Sequence, residues 1–196
     1  YVTVSSASLG INSYMTLPLV SKDTVNPVCS TISTCQSFSA IYPGWEIYKF
    51  STTVMLPPAN DWVISYSAAV RNMAIKNINA SSGIYLEAKL DNTAINSNAQ
   101  WAGKVNYYLI ENTSMSVPLQ VIDADGDSVD VRLIAPREYT STTNISYQPG
   151  YSVTNPFGGG YCTINPTTHT LDMLAPAPGV YTLAFAIDEY RNGVQI

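Results

Sequence analysis

Apolar residues recur at every second position along most of this chain, the signature of strands with one covered face. In residues 84–90, Ile84, Leu86, Ala88 and Leu90 point one way, and Tyr85, Glu87 and Lys89 point the other. In 180–188, Tyr181, Leu183, Phe185 and Ile187 alternate with Thr182, Ala184 and Asp188. Trp62, Ile64 and Tyr66 share a face in 61–66. In 128–133, Val129, Val131 and Leu133 oppose Ser128, Asp130 and Arg132. Further strands are predicted near 13–20, 45–56, 105–110, 117–122, 144–148 and 161–164, each bounded by Gly, Pro, Asn or Asp. Residues 67–76 are the best helical candidate. They lack an apolar stripe, and a loop or one short turn fits equally well.

Many short strands with frequent turn signals predict an all-β protein of sandwich type. Residues 91–103 are rich in Asn, Ser, Ala and Gly and carry no strand pattern. The reading is therefore two tandem immunoglobulin-like β-sandwich domains, 1–103 and 104–196. The second is of immunoglobulin or cadherin type. It is expected to continue past residue 196, or to be completed by a neighbouring copy, because Val194-Gln195-Ile196 is an apolar, strand-like triplet. An opening Tyr1 in place of Met reads as a processed or internal start.

Composition narrows the function. Charged residues are 12% of the chain and apolar residues 46%. That supplies a core, and the polar remainder is Ser, Thr and Asn, as is common outside the cell. The net charge is −5 with no basic run, which excludes the clustered Lys and Arg that neutralise phosphates. No stretch approaches the ~20 apolar residues of a membrane-spanning helix. Cys29 and Cys35 lie in one Pro/Ser/Thr-rich loop. A disulfide closing it implies an oxidising compartment, and two free thiols are the alternative. Cys162 reads as a buried small hydrophobe.

Chemistry concentrates at Asp123-Ala124-Asp125-Gly126-Asp127. Carboxylates at i, i+2 and i+4 around a glycine match the start of a calcium loop, with Asp123, Asp125 and Asp127 as ligands. An EF-hand fails, since Ile134 stands where the twelfth-position Glu belongs. The other reading is a tight turn between strands. Asp188 and Glu189 are further carboxylates that the fold could bring to the same end. Arg71 and Arg191 read as surface partners for nearby acids. No enzyme is expected. The single histidine, His169, sits in a turn-like Pro-Thr-Thr-His-Thr, no Gly-x-Ser-x-Gly elbow exists, and Gly158-Gly159-Gly160 lacks the lysine of a phosphate loop. Trp45 and Trp62 read as core. Trp101, in the linker, is the candidate exposed ring for a sugar ligand, or else a wedge between the two halves.

An ordered set of segments carries a family resemblance. It includes Pro43-Gly44, Thr53-Val54-Met55-Leu56-Pro57, Asp61-Trp62-Val63-Ile64-Ser65, Val70-Arg71-Asn72 and Tyr85-Leu86-Glu87-Ala88. It continues through Asp123-Ala124-Asp125-Gly126-Asp127-Ser128, Gly150-Tyr151-Ser152, Gly179-Val180-Tyr181 and Glu189-Tyr190-Arg191-Asn192-Gly193. Over residues 25–196 the chain resembles the large surface adhesins of Bacteroidetes, the SprB-type gliding-motility adhesins and related immunoglobulin-like or PKD-like repeat proteins. The resemblance implies type IX export, display on the bacterial cell surface, and repeats strung into fibres for attachment or gliding. The implied partners are neighbouring domains or copies, and surface polysaccharide. It also implies O-glycosylation of Asp-Ser/Thr-apolar triplets, here at Thr24 and Ser128. Family members often carry additional cysteines near the Trp-Ile-Ser and Arg-Asn segments. This chain has Ala59-Asn60 and Ser67-Ala68-Ala69 there. The function expected is a structural or adhesive module of a surface fibre, with a non-catalytic carbohydrate-binding module as the alternative.

Overall fold

The computed structural model describes residues 1–25, 33–34, 42–79, 81–103 and 107–196. The protein is all-β, and no helix occurs among the described residues. In chain order the strands are β1 (Val2–Ser6), β2 (Ile11–Met15), β3 (Leu19–Val25), β4 (Ser33–Thr34), β5 (Tyr42–Pro43), β6 (Trp45–Phe50), β7 (Trp62–Ala68) and β8 (Ile84–Leu90). Then follow β9 (Gln100–Trp101), β10 (Met115–Pro118), β11 (Val121–Ile122), β12 (Ser128–Ile134), β13 (Tyr161–Ile164), β14 (Thr170–Leu174), β15 (Ala184–Arg191) and β16 (Val194–Gln195). The expected Cys29–Cys35 pair lies outside the described residues.

The chain divides into two compact units. The first comprises residues 1–2 and 14–57. Its principal element is the antiparallel ribbon of β3 and β6, in register at Lys22↔Tyr48 and Thr24↔Glu46, with an irregularity between Leu19 and Ser21. The second unit comprises residues 3–13 and 58–196, so it takes in both sides of the boundary expected at 103/104.

Within the second unit, two three-stranded antiparallel sheets supply most of the core: β10-β14-β13 and β12-β15-β16. Leu171 and Met173 alternate with Thr170 and Asp172 along β14, and both are fully buried. Cys162 lies opposite Met173 and Val117 lies opposite Leu171, so all four share the inner face. The other sheet answers with Val131 opposite Ile187 and Leu133 opposite Phe185. Interdigitation of two inner faces is the general construction of a sandwich. Leu119, wholly buried between β10 and β11, completes the cluster with Phe157. Burying one such leucine stabilises the fold by about 2–3 kcal/mol.

A further sheet, β2-β1-β7-β8, whose residues fall mostly in this unit, is covered at its Trp62 end. Trp62 is 1% exposed beside buried Ser6, whereas Tyr66 and Leu86, directly opposite each other four residues along, are 44% and 62% exposed. The alternation in 84–90 therefore locates the strand, but its apolar face is not core throughout. Tyr85 and Glu87, read as outward, are the half-covered side, because Arg137 Nη1 donates to Glu87 Oε1 at 2.7 Å. The segment 117–122 breaks into β10 and β11 at Gln120, whose φ is 52°. Residues 144–148 contribute isolated bridges, Asn144 with Arg137 and Tyr147 with Ile78, and no strand. Residues 107–110 form no strand either, and 67–76 ends β7 and turns without a helix.

Candidate functional site

Strand β15 builds the site because its inner row changes chemistry along its length. Phe185 and Ile187 face the core. Alternation then brings Glu189 and Arg191 to the same side. The strand leaves the apolar core at this point, and the row becomes charged. Glu189 is 9% exposed. A buried carboxylate needs donors, and the 91–99 loop supplies them. Asn96 Nδ2 donates to Oε2 at 3.0 Å, and the Ala99 N–H donates to Oε1.

Arg191 lies one step beyond the Ser128↔Tyr190 pair, which sets it against Asp127. Its Nε and Nη2 bond the two Asp127 oxygens at 2.8 and 2.5 Å, a bidentate fork. Nη1 donates to the Ile95 carbonyl at 3.0 Å, and Nη2 to Asn96 Oδ1 at 2.8 Å. The Arg191 guanidinium holds the Asp127 carboxyl below its usual value, and Asp127 raises the arginine in turn. Asp125 adds a carboxylate oxygen 3.8 Å from Nη2 and accepts the Ser97 N–H at 2.5 Å. Two side chains of β15 and the acidic turn thus hold the loop 95–99 in place.

The acidic segment folds as a turn and gathers its carboxylates. It is a tight turn: the N–H groups of Asp125 and Asp127 both donate to Asp123 Oδ1, at 2.9 and 2.8 Å, and Gly126 supplies a φ of +81°. It is also a carboxylate cluster. Asp123, Asp125 and Asp127 place one oxygen each within 4.8 Å of the others, a spacing that oxygens around one calcium ion adopt. Asp123 Oδ2 is buried with no hydrogen-bond partner, which leaves one acceptor free for a cation. The donor set fits a divalent ion on one condition: Arg191 already engages both oxygens of Asp127 and must release one. Compared with protein-family models, with curated proteins and with solved structures, the chain matches none.

The remaining candidates fall elsewhere. Asp188 does not join Glu189. It lies on the outer face, 2.9 Å from Arg132 Nε. Trp101 is half-buried and packs on the core, its ring 5.2 Å from that of Phe185. Ser128 is exposed, and its Oγ donates to the Tyr190 carbonyl at 3.1 Å; Thr24 is exposed on β3. His169, with a φ of 49°, closes the turn between β13 and β14, its N–H bonded to the Asn165 carbonyl at 2.9 Å. Cys162 is buried, and burial pushes its thiol up to about 12. Asn96 carried no signal in the sequence. Its role depends on Arg191 and Glu189, which are more than 90 residues away in the chain.

Proposed function

We propose that this chain is a structural, adhesive module of a bacterial cell-surface fibre, acting outside the cell through strand pairing and surface contact and without catalysis. Type IX export and a place in attachment or gliding belong to the same reading and rest on the family resemblance. One observation carries the assembly mode. Among the described residues, strand β16 is an edge of its sheet, bonded to β15, and its Val194 is 66% exposed. The Ile196 N–H turns inward to the Glu189 carbonyl at 3.1 Å, so alternation turns the Gln195 N–H and C=O outward. An edge with free backbone groups and apolar side chains is a template for strand addition.

The edge that supports this reading is short. Ile187 to Arg191 lie in β15, the central strand, and only Val194–Gln195 is peripheral. Gln195→Pro is therefore the sharp test. It removes an outward N–H and leaves the inward bond of residue 196 in place. Electron microscopy of protein purified from its source should show fibres, and Gln195→Pro should shorten or abolish them. Discrete monomers in the unmodified protein, or fibres indifferent to the proline, would refute the reading.

A further inference from the structure

Strands β15 and β16 are joined by Asn192 and Gly193 alone, since Arg191 lies directly opposite Val194. A two-residue loop of type I′ needs a positive φ at both positions. Asn192 has a φ of 54° and Gly193 one of 78°. The turn therefore dictates the pair, and the pair brings a reactivity of its own. A backbone amide nitrogen can attack the side-chain amide carbon of the asparagine before it. A glycine nitrogen is the least hindered for that attack, because no Cβ stands beside it.

The fold leaves this nitrogen open. Asn192 and Gly193 are both exposed. A Cβ built on Gly193 would meet nothing within 4 Å, and the Gly193 N–H has no acceptor among the described residues. Asn112 makes the contrast. Its φ of 55° matches that of Asn192, but a β-branched residue follows, and the Thr113 N–H is bonded to the Ile110 carbonyl at 3.1 Å. Asn26, Asn155 and Asn165 precede prolines, which have no N–H. Asn192-Gly193 is the one Asn-Gly pair in the sequence. Ring closure needs the backbone of Asn192 to rotate out of the turn, so the hairpin must open first. Among the described residues, two cross-strand pairs and the Ile196 N–H on the Glu189 carbonyl hold β16 to β15. An opening that breaks so few bonds lies at the low-cost end of local unfolding.

We propose that Asn192 is a site of spontaneous chemical modification, with water as the co-reactant. The Gly193 nitrogen bonds to Asn192 Cγ, the Cγ–N bond of the side-chain amide breaks, and ammonia leaves with the proton that the Gly193 nitrogen gives up. Water then opens the cyclic imide at either carbonyl. One opening leaves aspartate in the normal chain. The other routes the main chain through Cβ and Cγ and leaves isoaspartate. Isoaspartate puts an additional backbone atom into a turn of two residues, so the register Tyr190↔Gln195 and Arg191↔Val194 fails. In the fibre reading proposed above, on which this consequence alone rests, modification withdraws β16 from the edge offered to a neighbour.

Incubating the 196-residue chain at mildly alkaline pH tests the proposal, with isoaspartate located by peptide mapping and scored by an isoaspartyl methyltransferase. Residue 192 should account for most of the isoaspartate formed. Asn192→Gly keeps a residue suited to positive φ and should lose that signal. In converted chain separated by ion exchange, the Ile196 amide should exchange faster than in fresh chain, while the β14 amides stay slow. No conversion at residue 192 in the native chain overturns the inference, and so does greater conversion at another asparagine. An Ile196 amide equally protected in fresh and isoaspartyl chain overturns the link to β16. Fibres are scored separately by microscopy. Fresh chain without fibres refutes the fibre reading and leaves the modification standing, whereas fibres built equally well by isoaspartyl chain refute the consequence for assembly.

Discussion

The side chain of Asn77 pairs with the backbone of Thr182 as a neighbouring strand would: Nδ2 donates to the Thr182 carbonyl at 2.8 Å, and Oδ1 accepts the Thr182 N–H at 2.9 Å. Asn77 is 0% exposed, and its own carbonyl accepts the Gln148 N–H at 3.0 Å. One amide thus satisfies both backbone groups of a residue just before β15, where no strand among the described residues pairs with it.

Truncating that amide leaves buried backbone groups without partners. Asn77→Ala should destabilise the protein by about 2–3 kcal/mol. Asn77→Asp should be no better, since a carboxylate accepts the N–H but cannot donate to the carbonyl. Urea unfolding of the three proteins measures both effects, and an alanine variant of native stability would contradict the pairing.

Arg191 is expected to act through the loop rather than the core. Arg191→Met should raise the amide exchange rates of residues 95–99 while those of β14 stay slow. Arg191→Lys should restore little, because an ammonium cannot reproduce the fork on Asp127 together with the contacts to Ile95 and Asn96. If Arg191 is the resident counter-cation, a chelator should leave the melting temperature of the unmodified chain unchanged. A fall would show that a bound metal already shares the site.

Asp61 and Asp127 are among the carboxyls that resist protonation in the folded protein. Hydrogen bonds from Ser6 and Ser8 hold Asp61 below its usual value, as Arg191 holds Asp127. A carboxyl depressed on folding stabilises the protein fully above its unfolded value of about 3.9. That contribution is lost as pH falls through the lower folded value. Stability should therefore drop below about pH 4. Asp61→Asn and Asp127→Asn should each flatten that drop while lowering stability at neutral pH, as read from melting temperature against pH.

Cys162 should be chemically silent in the folded state. Burial raises its thiol to about 12, so little thiolate exists at neutral pH. An aromatic disulfide reagent at pH 8 should leave it unmodified until denaturant is added. Rapid labelling at Cys162 itself, located by peptide mapping so that Cys29 and Cys35 are scored apart, would contradict its place opposite Met173.

Much of the fold was legible because a period of two survives wherever one face of a strand is covered. Strands β8, β12 and β13 fall where the alternation puts them. Leu183 and Tyr181 face the core as expected, yet β15 begins only at Ala184, because a side chain, Asn77, takes the place of a partner strand before it. Strand β14 went unread although Leu171 and Met173 alternate, since it follows His169 after a turn of only a few residues. The acidic turn was visible as a local motif. Its counter-charge was not, because Arg191 lies 64 residues from Asp127 and only the β12–β15 register brings them together. Trp101 looked free because its stretch lacked a pattern, but packing against Phe185 leaves no such trace in sequence.

The inner row of β15 passes from hydrocarbon to charge within a few residues, so the two halves of one strand should answer differently to two denaturants. Urea carries no charge and attacks apolar and peptide surface, so the loop and the core should yield together. Guanidinium chloride is an electrolyte whose cation imitates the arginine side chain. It should loosen the fork on Asp127 at concentrations that leave Phe185 and Ile187 packed, and the loop should part from the sandwich before the sandwich opens.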